Sequence, residues 1–312
     1  MDQAAPHTVN SIAYDLRTLG VTPGDVLLLH SSYRSLGFVA GGTEAVVWAL
    51  LDALGREGTL VVPTHTPDNT DPAGWRDPPV PEAWWPVIRE QTPGFDPART
   101  PSRWMGAVAE TVRTWPGGRR SDHPQVSFAA LGAHAPDVVD GHRLDDALGE
   151  HSPLGAVYRL DGKVLLLGCG HSSNTSLHLA EWRQSAAPRA VTGSAVRLPD
   201  GSSRWTTWTD VVTDEDDFDQ LGADFEATGG ATTGRVGSAT ARLMRQRTLV
   251  DFATAWMATN RSYENTVSSL ATGSILRMPS SLPAPFERFG PEGWSRVSDK
   301  SVEDIKGISI RL

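Results

Sequence analysis

Residues 164–183 have the sequence VLLLGCGHSSNTSLHLAEWR, and this stretch decides the fold predicted for the chain. Its first four residues, Val164 to Leu167, are apolar and predict a short buried strand. The Gly-Cys-Gly run that follows predicts a tight turn, and a helix is expected from His171 onward. This succession places the turn at the carboxyl end of a strand, where open α/β sheets bind their ligands.

The helix expected after this turn has an unusual polar face. Asn174, His178 and Glu181 are spaced four and then three residues apart, so they lie along one side of a helix. His171 and Thr175, also four residues apart, lie on the adjacent stripe. A solvated helix face is usually rich in charged residues such as Lys and Glu. Two histidines with an amide, a hydroxyl and a carboxylate indicate a functional site instead.

Strands and helices are predicted to alternate along the chain. Apolar runs of strand length are found at residues 26–29, 59–62, 126–131 and 164–167. Helices are expected at residues 8–19, at 43–54 with Thr43 as N-cap, and at 102–114. This alternation predicts an α/β fold with a mixed, largely parallel central sheet flanked by helices. Three of the strands are each followed by a histidine, namely His30, His65 and His171, so we expect these side chains along one sheet edge.

The remaining segments predict a hairpin, two further helices and a polar extension. Residues 190–198 and 203–212 alternate around Asp200-Gly201, which predicts a β-hairpin that belongs to a substrate region. Residues 66–101 predict a long loop. Helices are expected at residues 234–244 and 249–257. The chain is expected to form one domain over residues 1–262, with an extension at 263–312 that has little core of its own.

Composition excludes several classes of protein. The net charge of −9 argues against a nucleic-acid partner and suits a cationic substrate. Cys169 is the only cysteine, which excludes an intrachain disulfide and a cage of cysteine ligands around a metal. The chain has no apolar run long enough to span a membrane and no signal-like beginning, so a soluble cytoplasmic protein with no membrane partner is expected. Residues 209–226 contain eight acids without a Lys or Arg, which indicates either a solvated loop or a surface for a cation.

The polar segment after the first predicted strand has two interpretations. Residues 31–37 combine hydroxyl groups, Arg34 and free backbone amides behind a strand, which suits an anion such as phosphate. The segment lacks the Gly-Lys-Ser/Thr ending of a P-loop, and no Gly-x-Gly-x-x-Gly pattern follows the strand. An ordinary polar turn therefore remains the alternative to an anion site.

His178 is the strongest catalytic candidate, although a lone helical histidine is often a satisfied core residue. A carboxylate one turn away suits a general base, because it holds one imidazole tautomer and the unperturbed pKa of histidine, about 6.5, is close to working pH. His171 and His178 are seven residues apart, about 10 Å along a helix, which argues against a shared metal ion. No Gly-x-Ser-x-Gly elbow is present. Cys169 is either a nucleophile at a strand end or a small packing residue.

Several motifs in order resemble the aminoglycoside 3-N-acetyltransferases of the antibiotic N-acetyltransferase family, over about residues 8–258. The motifs are VLLLHSSYRSLG at 26–37, GTLVVPT at 58–64, RSDHP at 120–124, FAALG at 128–132, HSP at 151–153 and LLLGCGHSSNTSLHLAE at 165–181. Residues 234–244 also resemble the closing helix of the family. The resemblance implies acetyl transfer from acetyl-CoA to the 3-amine of a 2-deoxystreptamine antibiotic, in a ternary complex and without a metal, which gives antibiotic resistance.

The resemblance also implies roles for individual residues. The catalytic group is His178 as general base, Thr175 near the reacting carbonyl, and Glu181, which either orients His178 or binds the substrate. Contacts to acetyl-CoA are expected from Ser31, Ser32, Arg34, Ser35, Leu36, Gly37, His123 and Ser127. Contacts to the cationic substrate are expected from Asp68, Asp71, Asn174, Glu181, Asp210 and Asp214. The protein is expected to be a monomer or a homodimer.

Three alternatives stay open beside this interpretation. One is a CoA-dependent N-acetyltransferase of the same fold that acts on an amine other than an aminoglycoside. A more remote one is a ligand-binding protein without catalytic activity. The third is a metal-dependent hydrolase.

Overall fold

A seven-stranded mixed sheet forms the centre of this computed structural model, which describes residues 5–76 and 79–263. The strands of this sheet, in chain order, are Val26–Ser31 (β1), Thr59–Pro63 (β2), Arg119–Arg120 (β3), Phe128–Gly132 (β4), Lys163–Leu167 (β5), Ala231–Val236 (β8) and Ala239–Arg245 (β9). Their spatial order is β3-β4-β2-β1-β5-β9-β8. A separate two-stranded sheet is formed by Arg189–Arg197 (β6) and Ser203–Val211 (β7).

The parallel part of the sheet consists of its three central strands. β1 runs parallel to β2, with Leu28 opposite Val61, and parallel to β5, with Ser31 opposite Leu167. The outer strands pair antiparallel with their neighbours. The predicted mixed sheet is confirmed. Because β1 and β5 end side by side, the segments that follow them lie together at one edge of the sheet.

The helices cover both faces of this sheet. Their bounds are Val9–Leu19 (α1), Gly42–Leu54 (α2), Trp85–Gln91 (α3), Ala107–Arg113 (α4), Ala135–Val139 (α5), Pro153–Arg159 (α6), Ser176–Trp182 (α7), Phe218–Ala227 (α8) and Gln246–Asn260 (α9). Side chains alternate along β1, so Leu27 and Leu29 belong to one core and Leu28 to the other. The first core includes α1, α2 and α4, and the second includes α5 to α9.

The prediction of a helix at residues 234–244 was wrong. This segment forms most of the β8–β9 hairpin, which turns at Gly237 with a positive φ of 55°. Along β9, Ala239, Ala241 and Leu243 are buried in the first core and alternate with more exposed residues, which is the period of a strand. The last described helix, α9, begins only at Gln246, and it contains the predicted helix at 249–257.

Other element boundaries differ from the predictions. The helix expected from His171 is a 3-10 turn, His171–Ser173, and α7 begins only at Ser176. α2 begins at Gly42 with Gly41 as its N-cap, so Thr43 is not the cap. The acidic stretch is not entirely loop, because α8 buries Phe218 and two further apolar side chains of that stretch. The hairpin around Asp200-Gly201 is confirmed by β6 and β7.

The predicted domain boundary near residue 262 falls at the end of the described part of the chain. The predicted extension, apart from Tyr263, lies outside the described residues. Within residues 5–76 and 79–263, the search for membrane-spanning helices found none with the required length and apolar character.

Candidate active site

A buried histidine–carboxylate pair lies within α7. The Nδ1 atom of His178 donates to Oε2 of Glu181 across 2.6 Å, and the two residues are three positions apart on the helix. His178 is 9% exposed and Glu181 is 1% exposed. Since Nδ1 is bonded to the carboxylate, Nε2 is the nitrogen left for a proton transfer. This geometry is the one that a general base requires.

The second oxygen of Glu181 is also bonded within the protein. Oε1 accepts from the backbone N–H of Asp214 across 2.9 Å and from the guanidinium of Arg261 across 2.5 Å. Both carboxylate oxygens therefore have protein partners, and the side chain is almost fully buried. This placement favours an orienting role for Glu181, while its predicted contact with substrate stays a prediction.

Thr175 immediately precedes α7 and contacts a second histidine. Its hydroxyl Oγ1 lies 3.3 Å from Nε2 of His30, which belongs to β1. Burial, and secondly the charge of His178, lower the pKa of His30 to about 3, so this ring is neutral at pH 7. The same two causes, burial first, lower the pKa of His65 to about 3. His30 and His65 therefore lie close enough to His178 for its charge to affect their pKa values.

His171 is bonded to a different part of the fold. Its Nε2 lies 3.0 Å from Oε1 of Glu226 on α8, and Gly222 of the same helix approaches the imidazole so closely that a Cβ atom there would lie 2.0 Å from the ring. Asn174, predicted to contact substrate, is buried, and its Oδ1 accepts from the backbone N–H of Ser176. The amide thus helps to start α7, and its predicted contact with substrate remains untested.

The predicted acyl-donor loop is locked to the turn after β5. Residues Tyr33–Leu36 form a 3-10 helix, and Ser35 Oγ donates to the carbonyl of Ser32 across 2.6 Å and lies 3.3 Å from that of Gly168. Gly168 has a φ of +72°, and a Cβ atom on it would lie 1.8 Å from Ser35 Oγ. Only glycine fits there, so the segments after β1 and β5 share one rigid contact.

The side chains of this loop differ in their access to a ligand. Arg34 is exposed, and its guanidinium has no hydrogen-bond or ion-pair partner among the residues that the structure describes. Ser31 and Ser32 are half-buried, whereas Leu36 lies in the first core, so only its backbone is available. Gly37 is exposed with a φ of +79°. An exposed, unpaired arginine behind two serines suits an anionic group.

His123 and Ser127, predicted to contact acetyl-CoA, are both fully buried. His123 Nδ1 accepts from the backbone N–H groups of Gln125 and Val126. Burial lowers the pKa of His123 well below its ordinary value, so the ring is neutral. Ser127 Oγ donates to the carbonyl of Thr64 across 2.8 Å. Both side chains support the backbone around them, and a direct contact with acetyl-CoA remains a prediction.

The predicted substrate acids differ in their exposure and in their ion-pair partners. Asp68 pairs with Arg103 across 2.6 Å, and Asp71 pairs with Arg89 across 2.7 Å, so each carboxylate is already neutralised. Asp214 is exposed, and its backbone N–H donates to Oε1 of Glu181.

Asp210, another of these acids, is also deeply buried. It is 2% exposed and accepts from the backbone N–H groups of Val211 and Ala147. Burial outweighs these bonds and raises the pKa of Asp210 to about 7. A carboxyl group that is half protonated at neutral pH is a weak partner for a cation.

Two residues near His178 were not among the individual site residues predicted from the sequence. Arg261 holds Glu181 from a position 80 residues further along the chain. Glu215 is half-buried, and burial raises its pKa while the charge of His178 acts in the opposite direction. The acidic run was a signal for Glu215. Nothing in the spacing or composition of the sequence singles out Arg261.

A cavity of about 510 Å³ lies between the long loop after β2 and the β6–β7 hairpin. Its charged lining consists of Asp68, Asp96, Arg99, Arg103 and Arg197. Three arginines against two aspartates do not form the acidic surface that a polycation prefers. This cavity therefore gives no support to a cation site at Asp68.

The other chemistries considered from the sequence find little support. Burial raises the pKa of the Cys169 thiol to about 11, so at neutral pH it is a protonated and poor nucleophile. Among residues 5–76 and 79–263, no three His, Cys, Asp or Glu side chains are placed to hold a metal ion together.

The chain is similar in sequence to several known proteins. Residues 28–258 match the family model described as aminoglycoside 3-N-acetyltransferase. The chain is 40% identical over 258 residues to the SPbeta prophage-derived aminoglycoside N(3')-acetyltransferase-like protein YokD of Bacillus subtilis, covering 82% of this chain and 94% of that protein. It is 36% identical over 271 residues to aminoglycoside N(3)-acetyltransferase III of Pseudomonas aeruginosa, covering 82% and 95%.

Solved structures show the same similarity. The crystal structure of YokD superposes with a TM-score of 0.80, covering 82% of this chain and 95% of that one, at 40% identity. A binary complex of AAC-IIIb with CoASH superposes with a TM-score of 0.74, covering 83% of this chain and all of that one, at 30% identity.

Proposed function

The chain belongs to the aminoglycoside 3-N-acetyltransferase family, and from this premise we propose that it transfers the acetyl group of acetyl-CoA to the 3-amine of a 2-deoxystreptamine antibiotic. The observation that carries the proposal is the buried His178–Glu181 pair at the edge of the sheet. The acyl donor follows from the CoA complex of a relative with the same fold. In a cell, this reaction would give resistance to the antibiotic.

In the proposed reaction His178 is the general base. The substrate amine attacks the thioester carbonyl, a C–N bond forms and the C–S bond breaks. Nε2 of His178 takes the proton that the nitrogen loses, and this proton then neutralises the leaving thiolate. Glu181 holds Nδ1 and stabilises the imidazolium that forms, as a carboxylate does behind other catalytic histidines. Direct transfer of this kind requires no nucleophilic Ser or Cys.

Thr175 is proposed to stabilise the oxyanion that develops on the carbonyl. Neutral His30 can carry its proton on Nε2, and this N–H group then donates a hydrogen bond to Thr175 Oγ1. The hydroxyl hydrogen of Thr175 is then free to point at the reacting oxygen. A buried histidine that stays neutral is suited to hold the Thr175 hydroxyl in this orientation, because a neutral imidazole has a single N–H donor.

Replacing Thr175 by valine is expected to lower kcat about tenfold, the effect of one neutral hydrogen bond of about 1.4 kcal/mol. Valine has the same shape but no hydroxyl. Thr175→Ser keeps the hydroxyl and is expected to retain most of the activity, measured as initial rates of CoA release. Equal rates for the valine and serine variants would show that the hydroxyl is not used.

The donor and acceptor are proposed to approach from different elements. Arg34 and the serines of the loop after β1 offer a cation and donors for the phosphates and pantetheine of acetyl-CoA. The cationic acceptor is proposed to contact Glu215 and Asp214, which precede α8 and adjoin the His178–Glu181 pair. Carboxylates there favour a polycation near the base.

The proposed function is tested with a panel of aminoglycosides, including gentamicin, tobramycin and apramycin. Acetyl-CoA is supplied in excess, and CoA release is followed with a thiol reagent. We expect turnover with at least one member, with the acetyl group on the 3-amine by mass spectrometry and NMR. No turnover with any member would refute the resistance function and leave an acetyltransferase for another amine, or a binding protein, as the explanation.

A further inference from the structure

We infer that Arg261 is a positioning residue for the base and that its charge sets the lower pH limit of turnover. The inference rests on the proposed role of His178. Arg261 lies three residues beyond the end of the family match at residue 258. It directly follows α9, the last described helix, so the end of this helix is tied to the candidate active site.

The contacts of Arg261 form a nearly closed set around its guanidinium. Its side chain is 10% exposed, and NH1 donates to Glu181 Oε1 across 2.5 Å. Nε donates to Asp217 Oδ2 across 2.7 Å, and NH2 donates to the backbone carbonyl of Asp214 across 2.7 Å. The guanidinium lies 5.7 Å from the ring centre of Phe218. One arginine thus fixes Glu181 and the segment before α8 together.

Glu181 transmits this contact to His178. One of its oxygens bonds to Arg261 and the other to His178, so the three side chains form a chain of alternating charge. The Phe218 ring also packs against the His178 ring, with 5.0 Å between the ring centres. Charges in a dry, buried setting act on each other more strongly than exposed ones.

The sign of the effect follows from the charges that face His178. Glu181 on the same helix favours the protonated, inactive imidazolium, and Arg261 opposes it by compensating the carboxylate. From other elements, His30 and His65 are neutral at working pH, because their pKa values are lowered to about 3. Glu215 adds a further acidic group, and it is unchanged in the variants considered below.

Replacing Arg261 by glutamine is therefore expected to move the acidic limb of the kcat/KM profile to higher pH, by about half a unit to one unit. Arg261→Lys keeps the positive charge and is expected to stay close to the wild-type limb. The profile is measured between pH 5.5 and 9 by CoA release, with an aminoglycoside that the wild-type protein acetylates. If the substitution only removes a contact and has no electrostatic effect, kcat/KM falls while its acidic limb stays at the same pH.

The matched control is Arg247→Gln. Arg247 lies on α9, the helix that Arg261 follows, is 46% exposed, and contacts Asp161 and the backbone carbonyl of Tyr158. Its variant is expected to leave the limb in place. An unmoved limb in Arg261→Gln, or an equal displacement in Arg261→Lys, refutes the inference. Wild-type protein without any acetyl transfer refutes the proposed function instead, so the two failures are distinguishable.

A second variant keeps the test available if Arg261→Gln does not fold. Asp217→Asn removes the other carboxylate partner of Arg261 while the contact with Glu181 remains. More of the positive charge of Arg261 then acts on the Glu181–His178 pair, so the acidic limb is expected to move to lower pH. A limb that stays in place, or moves to higher pH, contradicts the inference on its own.

Discussion

Replacing His178 by alanine is expected to lower kcat for acetyl transfer at least about a hundredfold, the scale of a lost general base. The amine must lose a proton as it attacks, and among the described residues His178 is the histidine that a buried carboxylate bonds at Nδ1 with Nε2 left for proton transfer. His30 and His65 cannot replace it efficiently, because a pKa of about 3 makes each a weak base. Initial rates at saturating concentrations of both substrates measure the effect.

The binding of acetyl-CoA separates a chemical defect from a folding defect. Calorimetric titration with acetyl-CoA is expected to give a similar affinity for His178→Ala and wild type, since the proposed donor contacts lie after β1. The control variant is His134→Ala, whose ring is 43% exposed and pairs with Asp137 on the surface. Turnover of His178→Ala within a few-fold of wild type would show that another group takes the proton.

Replacing Glu181 by alanine is expected to lower the free energy of unfolding by about 3 kcal/mol, the lower end for breaking a buried ion pair. The variant leaves the guanidinium of Arg261, the N–H of Asp214 and the Nδ1 of His178 without the carboxylate that joins them. The loss is not larger because Arg261 keeps its contact with Asp217. Urea unfolding followed by tryptophan fluorescence measures the change.

A surface carboxylate provides the comparison for this loss. Glu150 bonds to Arg183 across 2.8 Å but is 49% exposed, so Glu150→Ala is expected to cost less than about 1 kcal/mol. Similar losses for the two variants would show that Glu181 is not the buried junction described above. Glu181→Gln, which keeps the shape of the side chain, is expected to fall between them.

The central sheet was predictable because its strands are buried on both faces. Such strands appear in the sequence as short, continuous apolar runs, and β1, β2 and β5 lie where those runs were found. The pair of His178 and Glu181 was predictable as well, because a spacing of three residues places two side chains on one helix face. The buried strands and the shared helix face are both visible in the local pattern of the sequence.

The outer strands and the far partners of the site were not predictable in this way. The β8–β9 hairpin has a short, small-residue turn, and its second strand, ATARLMR, consists mostly of residue types that favour helices. Arg261 reaches Glu181 only through the packing of α9 against α7, and Thr175 reaches His30 across 145 positions. Contacts of this kind depend on tertiary packing, and one sequence has no periodicity that records them.

The contact between Ser35 and Gly168 has a consequence for protein engineering. The two loops that it joins follow neighbouring parallel strands, and the serine hydroxyl fills the space where any other residue at 168 would carry its Cβ atom. Chimeras with relatives should therefore exchange the two loops together. One exchanged segment should begin inside β1 and the other inside β5. Chimeras that exchange a single loop combine two surfaces that were selected separately, so the contact between residues 35 and 168 is expected to be strained or lost in them.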